Sequence, residues 1–191
     1  MRDIIAQQLR ASAELKLRVA EELSDRIAVA ASLLIEGFRA QGRLLLFGNG
    51  GSAADAQHIA AALTCRLRLE RLALPAIALT CNSSVLTAQA NDHGFATVFA
   101  RQVEAIGRTG DLVLALSTSG ASANVVEAVV TAKANGLRTI CLTGVDGGRL
   151  WEIADLAIVV PSAEPTRIQE AHITIGHILC DLVENALFAP R

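Results

Sequence analysis

Arg43-Leu44-Leu45-Leu46-Phe47-Gly48-Asn49-Gly50-Gly51-Ser52 is the stretch on which the fold turns. Leu44 to Phe47 are apolar without alternation, which suits a strand buried on both faces and therefore the interior of a parallel sheet. The strand runs into glycines and then into a helical segment carrying Ala53, Asp55, Gln57 and His58. The same grammar repeats downstream, with apolar runs at Ala76–Leu79, Leu112–Leu116, Thr139–Leu142 and Leu156–Val160. Helical stretches at about 52–63, 83–90, 95–107, 122–135, 148–153 and 165–187 alternate with them. Strands separated by helices and joined by right-handed crossovers predict an α/β fold, a doubly wound five-stranded parallel sheet.

Ahead of this core (41–191) lies a helical arm (1–40), the whole forming a single domain. The arm reads as two leading helices, the second capped by Ser24-Asp25 and closed by Gly37 and Gly42. Its apolar surface exceeds what one small sheet can cover, which points to neighbouring subunits.

The 191 residues are 52% apolar, enough to offset chain entropy and exclude disorder. Seventeen basic against nineteen acidic residues give a net charge of −2, and aromatics are 3% with no tyrosine. That balance argues against nucleic acid as a partner. No apolar run reaches the length of a membrane span, and Met1-Arg2-Asp3 has no apolar signal core behind it. Cys65, Cys81, Cys141 and Cys180 are scattered and read as reduced thiols, so a cytoplasmic location is expected.

Ligands of an open parallel sheet bind beyond the carboxyl ends of its strands. Two strand-to-helix turns there are unusual. Gly48-Asn49-Gly50-Gly51-Ser52 permits close backbone approach, and the following helix offers free N–H groups to an anion. Ser117-Thr118-Ser119-Gly120-Ala121-Ser122 adds hydroxyls around a second helix start, a neutral cradle for phosphate oxygens. Either loop alone would pass for a capped turn. Two on one edge favour a phosphorylated small molecule.

The glycine loop also matches G-x-G-x-x-A, but the second strand ends in Leu79-Thr80-Cys81-Asn82, without the acid a dinucleotide ribose requires. No NTPase phosphate loop exists in the chain. His58, Gln169 and His177 offer an incomplete metal set, although a helical histidine is more often structural. Asn91-Asp92-His93-Gly94 reads as a polar turn.

Taken in order, Gly48-Asn49-Gly50-Gly51-Ser52-Ala53-Ala54-Asp55-Ala56-Gln57-His58, Asn91-Asp92, Ser117-Thr118-Ser119-Gly120, Thr143-Gly144, Asp146-Gly147-Gly148 and Arg167-Ile168-Gln169-Glu170 resemble the phosphoheptose isomerases, sugar-isomerase (SIS) domain enzymes. The resemblance runs essentially end to end. It implies conversion of sedoheptulose 7-phosphate to glycero-manno-heptose 7-phosphate by a homotetramer with sites at subunit interfaces. It assigns substrate contacts to Asn49, Gly50, Gly51, Asn91, Asp92 and Gln169, and the phosphate to Ser117, Thr118, Ser119 and Ser122. It also implies zinc on His58, Gln169 and His177, with His177 transferring protons as the catalytic residue.

One departure weighs against these agreements. The family carries a glutamate four residues after the first histidine, on the same helix face, where this chain has Ala62. Proton movement between two sugar carbons needs a base, which alanine cannot supply. Three explanations follow. The chain is an engineered base-deleted variant of a working isomerase; or a natural isomerase using another group, with Glu170 nearby but pointing elsewhere; or a non-catalytic paralogue like those that bind the replication initiator. The retained His58, Gln169 and His177 favour the isomerase lineage. Asn82, where many members have aspartate, keeps the hydrogen-bonding shape and removes a charge.

Overall fold

A computed structural model describes residues 1–189; Pro190 and Arg191 lie outside the described residues. Its strands are β1 (Leu44–Gly48), β2 (Ala76–Ala78), β3 (Leu112–Ser117), β4 (Arg138–Gly144) and β5 (Leu156–Val160). All pair in parallel, in the order β2-β1-β3-β4-β5. The helices are α1 (Arg2–Arg39), α2 (Gly51–Thr64), α3 (Ser83–His93), α4 (Ala100–Ile106), α5 (Ala123–Ala134), α6 (Gly148–Ile153) and α7 (Pro165–Phe188). The expected sheet is therefore present. β1 and β3 are buried at every position, so each face of the sheet carries its own apolar cluster. Leu44, Leu46, Leu112 and Leu114 face α1, α2 and α7, while Leu45, Phe47, Val113 and Ala115 face α4 and α5.

The arm differs from expectation. It is one 38-residue helix, not two. Ser24, expected as a cap, turns its hydroxyl back to the Ala20 carbonyl at 2.5 Å, and Ser32 does the same to Ala28 at 3.0 Å. Both stay inside a continuous helix because back-bonding satisfies the hydroxyl without breaking the ladder. The true end is a Schellman motif in which Gly42 N–H reaches the Gly37 carbonyl at 2.9 Å and Gln41 N–H reaches Phe38 at 3.0 Å. Gln41 takes the left-handed position there, at φ 64°.

α1 lies against α7 and the β5 edge. Arg26 donates to the Ala157 carbonyl at 3.0 Å and stacks 4.8 Å from the Trp151 ring, so the open edge strand has a cover. The single helix expected at 95–107 is interrupted. Gly94 at φ 90° ends α3, and a 3₁₀ turn at Phe95–Thr97 precedes α4.

Candidate functional site at the carboxyl edge

In this strand order the winding reverses between β1 and β3, where Gly48, the carboxyl end of β1, is the register partner of Leu116, the residue before the carboxyl end of β3. The glycine and serine loops thus flank the crevice where open α/β sheets bind ligands. Gly50, at φ 54° and ψ −119°, adopts backbone open to glycine and starts α2 without a side-chain cap. The serine loop also refuses the ordinary capping role. Ser122 precedes α5 but gives it no side-chain cap; its Oγ instead lies 3.1 Å from Ser117 Oγ. Ser119 Oγ accepts from the Ala121 N–H at 3.2 Å. Serine hydroxyls and the uncapped start of α5 therefore lie together in one loop. Leu150 N–H binds the Gly120 carbonyl at 3.0 Å, and a Cβ at Gly120 would strike the Gly147 carbonyl, so the loop rests backbone to backbone on the turn after β4.

A carboxamide clasp joins the two loops: Asn49 and Asn124 bond through both ends at 2.8 Å. Asn124 is 3% exposed. Sequence reading missed it, although an asparagine in the first turn of α5, on the helix stripe that faces the sheet, was visible.

Down α2, His58 stands two turns beyond Gly51 and meets His177 of α7, Nε2 to Nε2 at 2.8 Å with the rings at 75°. Gln169 lies two turns earlier on α7, and its carboxamide lies over Gly51 so closely that no Cβ would fit there. Asp55, between Gly51 and His58, is 7% exposed. Burial pushes its carboxyl above the usual range, and a hydrogen bond from Gln169 and the two imidazoles pull the other way. Asp55 too was passed over. Its signal was a carboxylate on the buried stripe Ser52, Asp55, Ala56, Ile59, Ala62.

Ala62, where the resemblance wants a glutamate, is buried in the apolar cluster, and its carbonyl accepts from Arg71 at 2.9 Å. Glu170 is held by Arg167 at 2.7 Å. Asn91 and Asp92 form the exposed last turn of α3, a helix and not the turn expected, bonded to each other at 2.8 Å. Among the described residues no hydrogen bond joins them to either loop. Asn82 caps α3 by accepting from the Val85 N–H at 3.1 Å.

Behind the site, His172 is fully buried and donates to the Thr143 carbonyl at 2.9 Å. Burial lowers its pKa to about 4, the bond to Thr143 opposing. Glu184 and Arg71, each 1% exposed, pair at 3.0 Å. Glu184 also accepts from the N–H groups of Leu67, Arg68 and Leu69, and Arg71 closes the end of α2 through the Ala62 and Leu63 carbonyls.

Fold and crevice together define a SIS-domain protein, and the SIS domain model matches residues 7–144. The phosphoheptose isomerase of Geobacter sulfurreducens is 53% identical over 188 residues, covering 98% of this chain and 100% of its own. A solved phosphoheptose isomerase from Neisseria gonorrhoeae superposes with a TM-score of 0.92 at 41% identity, covering 96% of this chain and 98% of its own. One from Francisella tularensis gives 0.93 at 38%, covering 96% and 97%. The chain belongs to the phosphoheptose isomerase family.

Proposed function

We propose that the chain is an aldose–ketose isomerase that interconverts sedoheptulose 7-phosphate and D-glycero-manno-heptose 7-phosphate, slowed by Ala62. The observation that carries this reading is a chain of contacts: the Asn49–Asn124 bond links the start of α5 to the glycine loop, Gln169 lies over Gly51 in that loop, and the His58–His177 pair stands two turns further along the same two helices. Ser117, Thr118, Ser119 and Ser122 with the start of α5 take the phosphate. Asn49, Gly50, Gly51, Gln169, Asn91 and Asp92 contact the sugar. The reaction moves one proton between C1 and C2, with carbonyl and hydroxyl exchanging places. His177 is the acid–base residue that carries this proton, steadied by its contact with His58.

Zinc is the metal this reading implies, and the residues present fit it as an incomplete set. Two nitrogens sharing a tetrahedral zinc stand about 3.3 Å apart, so the imidazole pair needs to open only slightly. Among the described residues no group of three or more His, Cys, Asp or Glu is placed to hold a metal; the third donor in this reading is the Gln169 oxygen, taken from the family resemblance. Held by His58, Gln169 and His177, the ion would polarise the sugar carbonyl. With Ala62 in place of the fourth ligand, its hold is weak.

The reading includes a homotetramer and a cytoplasmic location, and the uncovered apolar surface supports the first of these. Ile4, Ile5, Leu9 and Leu17 of α1 are more than half exposed, and α3 buries none of its residues. No helix among the described residues is long and apolar enough to cross a membrane.

The test is isomerase activity of the chain beside A62E, with sedoheptulose 7-phosphate binding followed by thermal shift. Binding by both, with kcat raised about 10²–10⁴-fold in A62E, supports the reading; no gain in A62E removes the lost-base argument. Ala62 is also the observation that favours a second reading, a non-catalytic paralogue associating with the replication initiator. Absence of zinc and of sugar-phosphate stabilisation, with recovery of the initiator in a pull-down, would establish that alternative.

A further inference from the structure

Asp55 has no part in the chemistry above, yet a buried carboxylate beside two imidazoles demands a reason. Its Oδ2 has no hydrogen-bond partner among the described residues, an expensive state for a charged oxygen. The Gln169 side chain is the hydrogen-bonding group whose influence reaches it, without a hydrogen bond of ordinary geometry between them among the described residues. Gly51 lies one turn before Asp55 on the same face of α2, and a Cβ at Gly51 would strike both the nitrogen and the oxygen of the Gln169 carboxamide. The carboxamide is thus confined between a bare Cα and a carboxylate. A glutamine presents two chemically opposite ends of nearly equal shape, and packing against Gly51 cannot tell them apart. The Asp55 carboxyl can, because its carbonyl-type oxygen accepts: it takes the Nε2 end and turns Oε1 the other way.

We propose that Asp55 is a positioning residue that sorts the two ends of Gln169, holding Nε2 to itself so that the carboxamide oxygen is presented to the His58–His177 pair. The inference rests on the reading of His58, Gln169 and His177 as a donor set, and it goes beyond that reading by giving the weakest donor an orienting partner. It also explains why a charge sits on the buried stripe of α2. Metal ligands are commonly fixed by such outer partners.

The experiment measures zinc affinity by chelator competition for the full chain, D55A, D55N, Q169A and D55A/Q169A, and determines the crystal structure of D55A. D55A is expected to weaken zinc about 10–100-fold, and D55N to stay within about threefold because its Oδ1 still accepts from Nε2. Q169A should cost as much as D55A, and D55A should cost nothing further in the Q169A background. In the D55A crystal the carboxamide should leave or invert. Affinity of D55A within twofold of the parent, or an undiminished D55A effect without Gln169, overturns the proposal. If D55A fails to fold, D55S carries the same comparison. If the parent takes up no zinc, the metal reading alone fails; Asp55 is then judged by the Gln169 carboxamide, which must move in the D55A crystal and stay in D55N.

Discussion

Asn49 and Asn124 occupy one another completely, each carboxamide donating to and accepting from the other at 2.8 Å. The bond ties the turn after β1 to the helix after β3, across the crevice where the sheet changes direction. N124A leaves both polar ends of the half-buried Asn49 without partners, and a buried orphan costs about 1–3 kcal/mol. Urea unfolding should show that loss as a lower midpoint with an unchanged slope. Inorganic phosphate affinity should fall as well, because the serine loop loses its tether.

Ser122 is the cleaner probe of the phosphate cradle, since its hydroxyl meets Ser117 and does not cap α5. A hydrogen bond to a charged group contributes about 1.5–3 kcal/mol, so S122A should weaken sugar-phosphate binding by about 10- to 150-fold. The melting temperature of the unliganded protein should hardly move. Calorimetric titration that finds S122A equal to the parent would place the phosphate elsewhere.

His172 sets an acid limit on the fold. Its pKa is about 4 in the folded chain against 6.5 unfolded, so the unfolded chain binds more protons between those values. Stability therefore falls as pH drops from about 6.5 towards 4, by about 3 kcal/mol when complete. H172Q, which keeps a donor for the Thr143 carbonyl, should flatten that part of the pH–stability curve.

The Arg71–Glu184 pair, buried on both sides, is costly to break from one side. Burial pushes the Glu184 carboxyl up, but the N–H groups of Leu69, Arg68 and Leu67 and the Arg71 guanidinium outweigh it and hold the group below its usual range. Its contribution is present at neutral pH and is lost as pH falls below the ordinary carboxylate value. E184A strands a buried guanidinium and three backbone donors, with an expected loss of about 3–5 kcal/mol in denaturant unfolding. The end of α2 at Ala62 and Leu63 should loosen with it, seen as faster amide exchange there.

The sheet was legible because Leu44–Phe47 and its repeats carry their instruction locally: apolar on both faces, closed by glycine or serine. The two loops were legible for the same reason. What escaped depended on partners distant in sequence. Ser24 looked like a cap because a cap and a back-bonded helical serine have the same local sequence; which one forms is decided by packing of Leu23 and Ile27 against the rest of the chain. Asn124 acquires meaning only opposite Asn49, and Asp55 only beneath Gln169. Asn91 and Asp92 could be tied to the crevice by resemblance alone, and the described chain leaves them at its surface.

The first buried position of α1 is Leu15, so more than three turns of helix run ahead of it, touching the body through Arg167 at Gln8. A helix of that length standing free in water is marginal. Its order is therefore a gauge of company: on the proposed homotetramer, diluting the protein should unwind this end first, and a spectroscopic label near Leu9 would report it.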